Sequence, residues 1–267
     1  MMQTLTPMML AAFGWSIAAL MMAVLFLIAE RRKEADIVDA GWAAGIGILG
    51  VVYALLAPGD GLRKLVVGLC VALWSYRLSR YLFVHRVLKP GEDGRYVALR
   101  KGWGRNARRN FFVFFQAQAV FDLIFSIPVL VALCNPAPAL ALTDWLALAV
   151  FLIAFGGETL ADRQLLAFRQ DVANHGKTCR VGLWRYSRHP NYFFEWLHWW
   201  SYPLFAFGAS WWWLTLVGPA FLLYLLFFVT GIPPTEARAL ETRGDDYREY
   251  QRTTSAFFPW FPKKGTV

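Results

Sequence analysis

The sequence predicts an all-α integral membrane protein with seven transmembrane helices. Three observations carry this. The 267-residue chain is 57% hydrophobic with a mean hydropathy of +0.39, against roughly 45–50% apolar in soluble proteins. Seven apolar runs approach the roughly 20 residues that a helix needs to cross the hydrocarbon. They lie at about 8–29, 37–57, 62–84, 111–134, 140–158, 192–209 and 211–231. The basic residues, finally, alternate between loops. Those after the first, third, fifth and seventh runs hold three, eight, six and six Lys and Arg; the stretch 58–64, which overlaps the start of the third run, holds two (Arg63 and Lys64), and the turns after the fourth and sixth hold none. Lys and Arg concentrate on the cytoplasmic side, so the N-terminus is expected outside and the C-terminus in the cytoplasm.

Taken in order, the first run has no basic segment before it and is longer than a signal-peptide core, so it reads as a span. The second carries Gly41, Gly45, Gly47 and Gly50, which permit close helix packing. The third ends among Tyr76, Arg77 and Arg80, and the fourth holds Gln116 and Asp122. The fifth follows the turn Asn135-Pro136-Ala137-Pro138. The sixth and seventh are separated by a short turn before Trp211, Trp212 and Trp213, an interfacial anchor. No repeat divides the chain, which reads as a single membrane domain. Cytoplasmic loops 85–110 and 159–191 and the tail 232–267 are long enough to roof a cavity.

The net charge of +9 is taken up by topology, so nucleic acid is not an expected partner. Membrane lipids and a phosphate-bearing cofactor are, and no obligate protein partner is expected. The three cysteines (Cys70, Cys134 and Cys179) form no CxxC pair, which argues against a disulfide framework or a metal site. No glycine-rich phosphate loop precedes a helix.

The densest polar stretch is RVGLWRYSRHPNYFFEWLH, 180–198. Pro190 suits a first helical turn. From there Asn191, Glu195 and His198 share one face. Ionisable groups entering an apolar helix are functional-site candidates by default. Asp39, Tyr76, Asn191 and Glu195 are all expected at one depth, which points to a cavity open to the cytoplasm. An ion pair of Asp39 with Arg77 or Arg80 is the plainer reading of that carboxylate. In the tail, Tyr247 and Tyr250 share a helix face.

SRHPNYFFEW (187–196) resembles the signature shared by steroid 5α-reductases, sterol reductases and isoprenylcysteine carboxyl methyltransferases. DIVDAGWA (36–43), WSYRLSRYL (74–82) and EDGRY (92–96) resemble the bacterial branch of the steroid 5α-reductase family, and DDYREYQRTTSAFFPWFP (245–262) resembles its C-terminus. The resemblance implies NADPH-dependent reduction of the Δ4 double bond of a 3-oxo-Δ4-steroid or similar lipid enone. By position it assigns Tyr76 as the acid at the carbonyl oxygen and Asp39 as the carboxylate that holds it. Asp39 lacks the glutamine that flanks the carboxylate in eukaryotic relatives. To NADPH the resemblance assigns Asn191, Glu195, Asp162, Arg169, Arg180, Arg188, His189, Tyr192, Arg238, Asp246 and Tyr247. Since two of the motifs are shared with the methyltransferases, an S-adenosylmethionine-dependent carboxyl methyltransferase is the alternative. The expected setting is a bacterial inner membrane.

Overall fold

The computed structural model describes residues 5–138 and 141–263. The first residue of the fifth predicted span and residues 264–267 of the tail lie outside the described residues. Among the described residues the chain is helical, with no strand, and it forms two compact units. Unit 1 comprises residues 1–144 and 202–217; unit 2 comprises 145–201 and 218–267.

Unit 1 begins with α1 (Pro7–Arg32), capped by the Thr6 hydroxyl, which accepts from the Met9 N–H at 3.2 Å. Lys33 ends it in the left-handed conformation (φ 63°). α2 (Ile37–Leu56) and α3 (Gly61–Leu82) pack tightly against each other. A Cβ on Gly47 would lie 2.1 Å from the Ser75 hydroxyl, and one on Gly50 would lie 2.5 Å from Val71. The close approach expected of the α2 glycines is therefore realised, and it lets Ser75 Oγ donate to the Ala43 carbonyl at 2.8 Å. A π-helical turn (Phe83–Val87) leads to α4 (Gly94–Trp103), so part of the predicted loop 85–110 is helical. α5 (Ala107–Leu133) returns antiparallel to α1. Glu30 meets Arg108, Phe26 meets Phe112, and Gln116 donates to the Ala19 carbonyl.

α6 (Leu142–Gln170) runs well past the predicted end of the fifth span at residue 158. The stretch expected as the start of loop 159–191 is helical because ETLADRQLLAFRQ is rich in Leu, Ala, Arg, Gln and Glu, which favour helix regardless of the bilayer. Unit 2 then contains α7 (Pro190–Trp199), where the sequence predicts one span over 192–209. α7 stops at Trp199, and only the short α8 (Ser201–Phe205) follows. Pro203 lacks an N–H and its ring clashes with the carbonyl four residues earlier, that of Trp199. Beyond Trp211 come a 3₁₀ turn (Trp212–Leu216), α9 (Val217–Tyr224) and a π-helical turn (Leu225–Val229). The polar helices α10 (Ile232–Arg243) and α11 (Asp245–Thr253) end the chain.

Among the described residues, five helical stretches are long and apolar enough to cross a membrane: Pro7–Arg32, Ile37–Leu56, Gly94–Leu133, Leu142–Gln170 and Trp212–Arg243. This is an integral membrane protein by that measure. α3 is a 22-residue helix but holds Arg63, Lys64, Arg77 and Arg80.

Candidate functional site

In unit 1 the DIVD and EDGRY motifs meet. Asp36 accepts from the Asp93 N–H at 3.1 and 3.2 Å, and Glu92 accepts from the Ala35 N–H at 2.8 Å. Asp39 accepts from the Tyr96 hydroxyl at 2.6 Å, from Arg95 Nη2 at 2.9 Å and from Arg86 Nη1. Burial raises the pKa of Asp36, opposed by the Asp93 N–H. Burial also pushes the Asp93 carboxyl up, but hydrogen bonds from Arg95 outweigh it and the net direction is down.

The ion pair of Asp39 with Arg77 or Arg80 is thus replaced by one with Arg86 and Arg95. Asp39 does not hold Tyr76 either. The reason is helical geometry: Trp74 and Ser75 face α2, and the next residue turns about 100° away. Tyr76 is 68% exposed, and its hydroxyl makes no hydrogen bond among the described residues. The tyrosine that Asp39 does hold, Tyr96, is 3% exposed. Tyr96 belongs to the EDGRY motif, which the sequence comparison sets with WSYRLSRYL and not with Asp39. Asp122 on α5 is fully buried with neither oxygen hydrogen-bonded, against the space left by Gly45.

In unit 2 most of the predicted cofactor residues come together, in three groups. The first lies at the start of α7. Asn191 Nδ2 donates to Asp162 Oδ1 at 3.3 Å, which brings the end of α6 to the SRHPN motif. Glu195 and His198, which share a helix face with Asn191, are buried. Glu195 accepts from the Trp199 indole at 3.3 Å. Tyr192 stacks on the His189 ring at 5.2 Å, and its hydroxyl lies 3.3 Å from Thr235.

The second group is a strap between the motif and the tail. Arg188 donates through Nε to Glu236 at 2.7 Å and through Nη1 to the carbonyls of Gln251 and Thr254. Glu236 also meets His189 Nε2 at 3.1 Å and Gln251 Nε2 at 2.7 Å. Trp260 N–H donates to the Tyr186 carbonyl and Ser187 Oγ to that of Phe257, so the FFPWFP segment is laid along the motif. Burial depresses the pKa of His189, with Glu236 opposing. Arg188 and His189 are therefore tied to the fold through Glu236, in the helical opening of the tail.

The third group surrounds residues 178–180. Asp246 accepts from the Thr178 N–H and from Arg180 Nη2, both at 2.7 Å. Thr178 is 6% exposed and its hydroxyl has no hydrogen-bond partner; Arg180 Nε is also buried and unpaired. Burial raises the Cys179 thiol, with the Val181 N–H and the charges of Arg169 and Arg243 opposing, so both arginines stand near this segment. Neither has an ion pair among the described residues. Arg243 instead lies over the Tyr247 ring at 5.8 Å. Burial raises the Tyr247 hydroxyl, and the Glu236 charge adds to the effect. Tyr247 and Tyr250 share a buried face, as predicted. Arg238 is exposed, with no ion pair among the described residues. No cluster of three or more metal-ligating side chains occurs among the described residues.

A family profile described as "Protein of unknown function (DUF1295)" matches residues 25–254. An uncharacterized protein of Schizosaccharomyces pombe is 29% identical over 274 aligned residues, covering 88% of this chain and 76% of its own. No solved structure matches significantly.

Proposed function

The chain belongs to the family described as protein of unknown function (DUF1295), and from that premise we propose that it is an NADPH-dependent reductase of a conjugated lipid enone, with 3-oxo-Δ4-steroids as the substrate class to try first. The observation that carries this reading is the group of uncommitted donors in unit 2. Thr178 Oγ1 and Arg180 Nε are buried without partners, and Arg169 and Arg243 form no ion pair among the described residues, Asp246 being the acid whose charge reaches Arg243. Buried polar groups are normally satisfied, and arginines with open donors suit phosphate oxygens. The donor set fits a phosphate-bearing cofactor. Arg169, Arg180 and Arg243 would hold its phosphates, while Asp162 and Asn191 would bind its polar groups. When bound, NADPH supplies the hydride for the electron-poor carbon of the enone.

The protein's own task at the other end of the enone is to stabilise charge. Negative charge grows on the carbonyl oxygen as the double bond is reduced, and a placed hydroxyl donor lowers that barrier. Tyr76 has a hydroxyl free to donate, whereas that of Tyr96 is engaged by Asp39. Asp39 then acts by fixing the Arg86–Arg95–Tyr96 segment rather than by holding the acid. We also read the chain as seven spans, with the N-terminus outside and the site open to the cytoplasm of a bacterial inner membrane. The alternation of basic loops supports this.

The test is oxidation of NADPH by detergent-purified protein with progesterone or testosterone, with products read by mass spectrometry. A steroid-dependent product heavier by two hydrogens is expected. Tyr76→Phe should bind NADPH normally and turn over on the order of 100-fold more slowly. Undiminished turnover would remove Tyr76 from the acid role. Absence of NADPH binding, with binding of S-adenosylmethionine instead, would replace the reductase by the methyltransferase.

A further inference from the structure

At one end of unit 1, where α1 finishes and α5 begins, an open groove of about 440 Å³ is lined by Phe26, Arg105, Asn106, Arg108, Arg109 and Phe112. Its two walls differ in chemistry. The polar wall holds three exposed arginines. Only Arg108 has an acidic partner among the described residues, Glu30 at 3.5 Å, and that arginine side chain is 78% exposed. Such an open pair is worth little, so the groove keeps a net positive charge. The apolar wall is the exposed Phe112 ring, backed edge to face at 5.3 Å by Phe26, which is only 6% exposed. From there the exposed surface of the two helices stays apolar through Val24, Leu27 and Val113.

Both helices are among the stretches able to cross a bilayer. The groove therefore stands where a spanning segment gives way to charge, the depth at which phospholipid phosphates lie. We propose that it binds an anionic phospholipid, with the headgroup phosphate on Arg105, Arg108 and Arg109 and an acyl chain against Phe112 and the exposed apolar surface that continues from it. The match lies in two features held together: arginine forks suit phosphate oxygens, and the rings beside them suit hydrocarbon. A basic surface alone would not select a lipid. The groove formed by Asp245, Arg248, Gln251 and Arg252 in unit 2 shows the contrast, since it has arginines and no apolar wall. The proposal uses no residue of the reductase reading and stands apart from it.

The test is native mass spectrometry of the full chain in detergent, titrated with dioleoyl phosphatidylglycerol or dioleoyl phosphatidylcholine. One phosphatidylglycerol should be retained in preference to phosphatidylcholine. At about 1 kcal/mol per basic residue near a headgroup, Arg105→Gln, Arg108→Gln and Arg109→Gln together should weaken retention on the order of 100-fold. The pair Arg248→Gln and Arg252→Gln should change it less than about two-fold, although it also lowers the net charge. Should the triple variant fail to fold, Arg105→Gln and Arg109→Gln singly are each expected to cost about five-fold. Unchanged affinity in these variants, or equal retention of phosphatidylcholine, would overturn the proposal. Displacement of the lipid by free glycerol phosphate at equal concentration would also overturn it, by showing a site for phosphate alone.

Discussion

Arg63 in unit 1 and Arg180 in unit 2 are both anchored on an aspartate, yet they end differently. Arg63 is 3% exposed and all five of its N–H groups are occupied. Nε and Nη2 form a fork to Asp144 at 2.8 Å each, and the remaining donors go to the carbonyls of Asn135, Ala137 and Pro138. Asp144 also accepts from the Ala141 N–H. Nothing is left to meet a ligand. Arg180 uses Nη2 on Asp246 at 2.7 Å and reaches Glu249 at 3.4 Å but leaves Nε buried and unpaired, as is the buried hydroxyl of Thr178, near two arginines that form no ion pair among the described residues. A saturated arginine closes a turn. An unsaturated one, held in place by its neighbours, keeps a donor without a partner. The difference is invisible in residue type and lies wholly in the donor inventory.

The contrast can be broken at either end. The largest effect should come from Arg63→Met, which strands a buried carboxylate. Losing one partner of such a pair typically costs about 3–5 kcal/mol, to be read as thermal or denaturant unfolding in detergent. A loss under about 1 kcal/mol would mean that Asp144 finds water and that the turn is not closed by Arg63. Next, Arg169→Gln combined with Arg243→Gln should leave the unfolding midpoint nearly unchanged and weaken NADPH binding at least about ten-fold, since charge-assisted bonds contribute about 1.5–3 kcal/mol each. The opposite pattern, a destabilised protein that binds NADPH as before, would make these arginines structural like Arg63.

The smallest effect concerns His189. Burial holds its folded pKa below the ordinary 6.5, with Glu236 opposing. A base with a depressed pKa must take up a proton at a cost in the folded state, so its contribution is intact above about 6.5. It is lost progressively as pH falls from there toward the folded value. Stability measured between pH 7 and 5 should therefore decline, and His189→Gln should flatten the decline. An equal slope in the variant would assign it to another group.

Much of the helical framework could be read in the chain because the bilayer demands long apolar runs, and composition records that directly. Helix ends were harder. α6 overran its predicted boundary because helix propensity does not stop where hydropathy does. α7 stopped early because Pro203 acts on a carbonyl four residues before it. Of the site, the Asn191–Glu195–His198 face and the Tyr247–Tyr250 face followed from helical periodicity. The partners of Asp39 did not, since Arg86, Arg95 and Tyr96 reach it only after a turn folds them back onto α2.

The sequence by itself determined that this protein is helical, that it enters a membrane, and that its polar residues gather around SRHPN, DIVD and EDGRY. All of these are written in local composition and period. Only the tertiary structure decided that Glu236 ties Arg188 and His189 to the tail, that Asp39 holds Tyr96 and not Tyr76, and which arginines keep open donors. A hydrogen bond needs its partner within about 3 Å, and for residues as far apart as 188 and 236 or 39 and 96, only the folded chain fixes that distance.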